Sequence, residues 1–92
     1  MSKREKRLQK IRQNPKDVSF DELNQTLQDY EFQLRRVTGS HHIFEYTLEG
    51  KRLKFILPLG RSIKTYYVKD ALRLIDLIIE SKRENDNSKE DN

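Results

Sequence analysis

The sequence predicts one α+β domain in which two helices cover one face of a three-stranded antiparallel sheet. Its 92 residues leave room for a single hydrophobic core. Apolar residues recur at helical spacing in two segments, and three strand-like runs joined by turn signals lie between them. An extra basic helix precedes this α-β-β-β-α order. We therefore divide the chain into a basic helical extension at residues 1–14, a folded domain at 15–81 and a disordered polar tail at 82–92.

The extra helix is predicted at residues 3–13. Leu8 and Ile11 are its apolar pair, and Pro15 ends it. So narrow an apolar stripe cannot stabilise a separate helix. The segment must therefore dock on the domain, bind something acidic or fray.

The second helix is predicted at residues 20–30 and begins with a capping box. The Ser19 hydroxyl can accept from the amide of Glu22, and the Glu22 carboxylate can reach back. An apolar stripe at helical spacing then marks the buried side of the helix. Its members are Phe20, Leu23, Leu27 and Tyr30.

Three strand-like runs follow, at residues 32–38, 41–47 and 51–57. Gly39-Ser40 and residues 48–50 supply the turns, and a loop continues from Pro58 to Lys64. With both helices of the domain on one face, the other face of the sheet is left free for a ligand.

The last helix is predicted from Thr65 to about Glu80 and carries a broad apolar arc. Leu74 and Leu77 fall outside the arc and need a second partner, either Leu8 and Ile11 or another protein. The members of the arc are Val68, Ala71, Leu72, Ile75, Ile78 and Ile79.

The composition narrows the class of protein. The chain has no cysteine, which excludes disulfides, thiol catalysis and thiolate zinc sites. No apolar run approaches the roughly 18 residues of a membrane span, and no apolar stretch follows the basic N-terminus as in a secretion signal. We expect a soluble, cytoplasmic protein that has no membrane partner and no cofactor.

Charge is unevenly distributed along the chain, whose net charge is +4. Residues 1–14 carry a net charge of +5, residues 19–31 contain acidic but no basic residues, and residues 33–64 again carry +5. A basic surface on one part of the domain favours binding of a polyanion. An ordinary solvated face explains the same charges equally well.

The run Gly39-Ser40-His41-His42-Ile43-Phe44 resembles the Gly-Ser-His-x-x-(Phe/Tyr) signature of HicA toxins. These are small ribonucleases that are paired with HicB antitoxins. Residues 14–23 look like the start of the first helix in one branch of that family. Residues 32–37 look like its first strand, and 56–58 with 67–72 look like the end of the last strand and the closing helix. The resemblance covers about residues 14–79.

The resemblance implies a double-stranded-RNA-binding-like fold, messenger RNA as substrate and a HicB-like antitoxin as partner. Family members often have Gly where this chain has Glu31, so we expect the helix before it to end in a different turn. They often have His-Pro near Tyr46-Thr47, and its absence removes an imidazole that could assist catalysis. The shortest members also lack the extension at residues 1–13.

Strand alternation separates the two histidines independently of the family. Phe44 is expected to face the helices, and in an extended strand His42 and Tyr46 share its side. His41, with Ile43, then points towards the open face and is our first choice for a catalytic residue, with His42 second. A bulge at the Gly39-Ser40 turn would reverse the assignment. Without the family, adjacent histidines are more often ordinary surface residues.

A nuclease that uses the 2′-hydroxyl of RNA as nucleophile needs proton transfer and charge stabilisation but no metal. Histidine suits proton transfer near neutral pH, and a cation from Arg36, Lys54 or Lys64 could stabilise the phosphate. The His-His pair has no recognisable metal-ligand spacing, so no metal site is expected. The predicted RNA-binding residues are Arg35, Arg36, Gly39, Ser40, Lys51, Arg52, Lys54, Arg61 and Lys64.

Two other functions remain open from the sequence. A three-stranded sheet with basic edges and two helices could bind duplex RNA without cutting it. Alternatively, Leu74, Leu77 and the N-terminal helix could form the surface of a protein-interaction adaptor.

Overall fold

Three helices and one three-stranded antiparallel sheet make up the fold, so the predicted α+β class is confirmed. The structure, a computed structural model, describes the backbone of residues 2–90 and the side chains of residues 2–83. The elements are α1 (Lys3–Gln13), α2 (Phe20–Asp29), β1 (Gln33–Thr38), β2 (His41–Leu48), β3 (Lys51–Pro58) and α3 (Thr65–Glu90).

Two tight hairpins connect the strands in the order β1-β2-β3. Thr38 pairs with His41 across the first turn, where Gly39 has a φ of +60°. A positive φ at only the first central residue is typical of a type II′ turn, which glycine adopts without strain. Leu48 pairs with Lys51 across the second turn. There the structure gives both central residues a positive φ, as in a type I′ turn.

The hydrophobic core lies between the helices and one face of the sheet. In β2 and β3, the buried Phe44 pairs with Phe55, and Leu57 pairs with His42. Side chains alternate between faces along a strand, so these pairs lie on the face towards the helices. The fully buried members of the core are Ile11, Val18, Leu23, Leu27, Phe44, Leu57, Val68, Ala71, Ile75 and Ile78.

Helix α2 begins and ends with capping motifs. The Glu22 amide donates to the Ser19 hydroxyl oxygen over 3.1 Å, as the capping box predicts. At the other end, the amides of Glu31 and Phe32 donate to the carbonyls of Gln28 and Leu27, both over 3.0 Å. This is a Schellman motif, with Glu31 at the left-handed position with a φ of 73°. Glu31 thus adopts a conformation that favours glycine, and the expectation of a turn different from that of the family stays a prediction.

Helix α1 docks on the acidic α2 and on α3. Leu8 and Ile11 are buried in the core, and Ile11 is only 1% exposed. Three of its cations form ion pairs, which join Arg7 to Asp29, Lys10 to Glu22 and Arg12 to Asp76. Hydrogen bonding to Asp76 raises the pKa of Arg12 above its ordinary value. Three of the six basic residues at positions 1–14 are thus paired with acidic side chains of the same chain.

Helix α3 is longer than the sequence analysis predicts. It continues past Glu80 to Glu90. Residues 81–90 contain neither proline nor glycine, so no helix-breaking residue stops it. The predicted helix end near Glu80 is therefore wrong. The disordered tail at 82–92 stays a prediction, and residues 91–92 lie outside the described residues. No helix in the described part of the chain is long and apolar enough to cross a membrane.

The two leucines that fell outside the predicted arc of α3 have different surroundings. Leu74 is buried in the core that also contains Leu8 and Ile11. Leu77 remains 43% exposed. The core that buries Leu74 therefore includes Leu8 and Ile11, the first of the two expected partners. Leu77 stays on the surface.

Candidate functional site

His41 is the first residue of β2 and follows the Gly39-Ser40 turn directly. It is exposed, and it pairs with Thr38 on β1 and with Pro58 on β3. Its neighbour His42 pairs with the core residue Leu57, so alternation directs the His41 side chain to the opposite, helix-free face. No bulge occurs at the turn, and the register shift in β1 lies farther back, between Leu34 and Arg36.

His42 packs against the helices. Its ring meets the Phe20 ring edge-on, with the ring centroids 4.7 Å apart and an angle of 65° between the planes. Its Nδ1 atom is buried and has no hydrogen-bond partner among the residues described. The placement of both histidines is the one that strand alternation predicts. The catalytic role of either one stays a prediction.

Arg36 is the predicted cation of the sheet that lies nearest to His41 by strand register. It pairs with Ile43, two residues along β2 from His41, so the two residues are diagonal neighbours on the open face. Diagonal Cα atoms in an antiparallel pair are about 7–8 Å apart, which an arginine side chain can span. Arg36 is exposed and forms no ion pair with the side chains described for residues 2–83.

Four other predicted RNA-binding residues lie farther from His41. Lys54 pairs with Glu45, which is two residues farther along β2 than Ile43, and Arg52 pairs with Thr47, two residues farther again. Each of these steps along the open face is about 7 Å. Lys51 closes the hairpin at the opposite end of β2. Arg35 occupies the register shift in β1 and forms an ion pair with Glu45 over 3.4 Å, which partly neutralises it. These cations extend the basic surface but do not surround His41.

The loop between β3 and α3 is held beside the turn that precedes His41. The Leu59 amide donates to the Ser40 carbonyl over 2.7 Å. Farther along, Ile63 is buried and its amide donates to the Val18 carbonyl over 3.1 Å. Arg61 and Lys64 belong to this anchored loop, and neither forms an ion pair among the described side chains. The loop therefore holds two predicted cations near the end of the sheet at which His41 lies, although they are distant from it in sequence.

Sequence reasoning missed the aromatic pair at the start of α3. The rings of Tyr66 and Tyr67 lie 4.4 Å apart between centroids, and Tyr66 is 60% exposed. Hydrogen bonding to Tyr66, followed by burial, raises the pKa of Tyr67 above its ordinary value of 10. A cavity of about 320 Å³ lies between this pair and the loop. The signal in the sequence is two adjacent tyrosines at the start of the predicted helix, because neighbouring helix positions do not face the same side and one of the two rings falls off the buried stripe.

The site combines an imidazole, an exposed guanidinium and backbone amides at a tight turn. An imidazole can accept and donate a proton near neutral pH, and the cation and amides can stabilise an anion. Among the described residues, no three side chains of His, Asp and Glu come together as a metal site would require. The arrangement is thus suited to acid–base chemistry on an anionic substrate.

Comparisons with models of protein families, with curated protein sequences and with solved structures found no significant match to this chain.

Proposed function

We propose that this chain is a metal-independent endoribonuclease, an mRNA interferase toxin of the HicA type that acts in the cytoplasm. A HicB-type antitoxin neutralises it. The observation that carries the proposal is the exposed imidazole of His41 on the helix-free face, diagonal to the unpaired Arg36. The α2-β1-β2-β3-α3 order and the antiparallel β1-β2-β3 sheet support a double-stranded-RNA-binding-like fold for the domain.

The reaction uses the nucleophile that RNA itself carries. His41 removes the proton from a 2′-hydroxyl, the 2′-oxygen attacks the adjacent phosphorus, and the bond to the 5′-oxygen breaks. The imidazolium returns its proton to that leaving oxygen, so a 2′,3′-cyclic phosphate and a 5′-hydroxyl form without net proton loss. Arg36 and the amides of Gly39 and Ser40 stabilise the charge that develops on the phosphate.

One imidazole has to serve both halves of this proton transfer. General acid–base catalysis by a positioned side chain typically contributes about 10²–10⁴-fold. On the open face Glu45, the remaining titratable group of β2 there, is occupied by the ion pair with Arg35. Cleavage is therefore expected to be slow, which a toxin that needs few cuts can tolerate.

The internal ion pairs of α1 bear on the antitoxin. Because Arg7, Lys10 and Arg12 already meet acidic side chains, they are poor sites for an acidic partner. Arg36, Arg61 and Lys64 have no ion-pair partner among the described side chains, so they remain as binding sites for the antitoxin. An acidic antitoxin bound there would cover the imidazole, and charge complementarity would speed the encounter.

The two adjacent histidines supply a matched experiment. Purified wild type, His41→Ala and His42→Ala are incubated with labelled RNA, with and without EDTA, and each is also induced in cells to score growth arrest. We expect His41→Ala to lose about 10²–10⁴-fold in cleavage rate and to permit growth, whereas His42→Ala keeps cleavage if it stays folded. EDTA should change neither rate. Full activity of His41→Ala, or loss on EDTA treatment, contradicts the proposal.

A non-catalytic RNA-binding module is the second candidate. It is favoured by the single imidazole on the open face, since binding requires only the cations Arg36, Lys54 and Arg52 that the same face presents. This candidate predicts a salt-sensitive gel shift without cleavage products. It also predicts that His41→Ala binds RNA as well as the wild type does.

A further inference from the structure

Tyr66 presents a large aromatic surface to solvent, directly after the loop that is bonded to the turn before His41. It is 60% exposed, and Tyr67 packs against it with 30° between the ring planes. Tyr67 is half-buried and supports the exposed ring from one side. Aromatic rings held in this way are the surfaces on which unpaired nucleobases stack in proteins that bind single-stranded nucleic acids.

The tyrosine pair is connected to His41 through a short, well-anchored path. Pro58 lines the cavity next to the tyrosines and is also the residue that pairs with His41 across the sheet. The hydrogen bond from Leu59 to Ser40 joins the next residue to the turn. The cavity of about 320 Å³ is at the small end of the range of ligand pockets, about 300–1,000 Å³. A single base with its sugar is a ligand of that scale.

The charges around the cavity suit the backbone that flanks a base. Lys64 lines the cavity, and Arg61 lies in the same anchored loop. Neither has an ion-pair partner among the described side chains. A base on Tyr66 would thus bring its phosphates towards two unneutralised cations.

We propose that Tyr66, with Lys64 and Arg61, forms a subsite for an unpaired nucleobase of the RNA that His41 cleaves. The inference rests on the proposed function and narrows its substrate class. The face of a base within a duplex is already stacked on its neighbours and cannot reach Tyr66. The substrate is therefore single-stranded next to the cleaved bond. The duplex-binding mode that the strand and helix order also allows is not used.

Binding is measured in the His41→Ala background, so that the RNA stays intact. The probes are a fluorescent single-stranded RNA oligonucleotide and the same sequence in a duplex, followed by anisotropy. We expect preference for the single strand, and we expect Tyr66→Ala and Tyr66→Leu to weaken that binding by about 5- to 150-fold, the usual range for loss of one stacked base. Tyr66→Phe keeps the ring and should bind like the parent. Leu77→Ala, exposed on the same helix, is the matched control.

A series of oligonucleotides with one abasic position each locates the stacked base. One position should reproduce the loss seen with Tyr66→Ala, and combining it with Tyr66→Ala should add little further loss. Equal binding of single strand by the parent and Tyr66→Ala, a preference for duplex, or the absence of any sensitive position overturns the subsite. Thermal melts of every variant confirm that the fold is intact, and Tyr66→Phe keeps the comparison valid if Tyr66→Ala unfolds.

The two proposals fail in different ways. If wild type does not cut RNA but binds single strands through Tyr66, the nuclease is wrong and the subsite stands. If wild type cuts RNA and Tyr66→Ala binds and cuts equally well, the subsite is wrong and the nuclease stands.

Discussion

The ring of His42 stands edge-on to the ring of Phe20, 4.7 Å away, on the side of the sheet that faces the helices. Its buried Nδ1 has no partner among the described residues. His42 is therefore a packing residue, and His41 is the histidine that lies on the opposite face. The two histidines are adjacent in sequence but have different environments, so substitution of one should have different effects from substitution of the other.

Replacement of His42 by phenylalanine should leave stability unchanged or raise it. The phenylalanine ring keeps an aromatic contact with Phe20 and removes a buried nitrogen without a partner, which costs free energy when left unsatisfied. The free energy of unfolding from urea titration checks this. As a control, His42→Ala should lose about 1–3 kcal/mol because it leaves a cavity. A similar loss in His42→Phe would mean that the imidazole makes a polar interaction that matters.

Glu31→Gly should stabilise the protein by up to about 1 kcal/mol. A non-glycine residue pays about 1–2 kcal/mol in the left-handed conformation, and the larger entropy of glycine in the unfolded chain cancels part of the gain. Glu31 also pairs with Lys82, but the pair is exposed and contributes little. Glu31→Ala removes the same pair and keeps the strain, so it serves as the control. A melting temperature of Glu31→Gly below that of Glu31→Ala would contradict this reading.

Ile11→Ala should destabilise the whole domain by about 2–5 kcal/mol, the usual cost of truncating a buried isoleucine. The reason is that α1 contributes Ile11 to the same core as α2 and α3. Gln9→Ala, on the exposed side of α1, should change little. Denaturant titration followed by circular dichroism distinguishes them. Equal stability of the two variants would show that α1 detaches without consequence.

Arg36→Ala should lower the cleavage rate by about 10²-fold, the usual effect of removing one donor that stabilises transition-state charge. Lys51→Ala removes the same charge at the far end of the hairpin and should leave the rate nearly unchanged. Single-turnover cleavage under saturating protein compares the two at equal binding. Equal effects of both substitutions would indicate that only total charge matters.

Much of the fold follows from local patterns in the sequence. The Ser19 cap, the stripe from Phe20 to Tyr30 and the glycine at position 39 each act within a few residues, so they predict where elements begin and turn. The side-chain period of a strand is two, and the turn before His41 is tight. For that reason the opposite orientations of His41 and His42 could be predicted without coordinates.

Other features depend on contacts between residues that are far apart in sequence. Arg7 meets Asp29 and Arg12 meets Asp76 only because α1 docks, and charge counting along the chain had left those cations available to a ligand. The register shift in β1 decides that Arg36 faces the same side as His41. Similarly, hydrogen bonds of the loop to Ser40 and Val18 hold the segment that precedes Tyr66 against the turn and the core.

The physical reason for this division is the range of the interactions. Caps, turns and side-chain alternation are determined by backbone geometry over two to four residues, which the sequence displays directly. Which cations are neutralised, and how the loop before Tyr66 is held against the turn, depends on how separate elements pack. By itself the sequence therefore determined the elements and the face on which His41 lies, and only the tertiary structure decided which residues surround it.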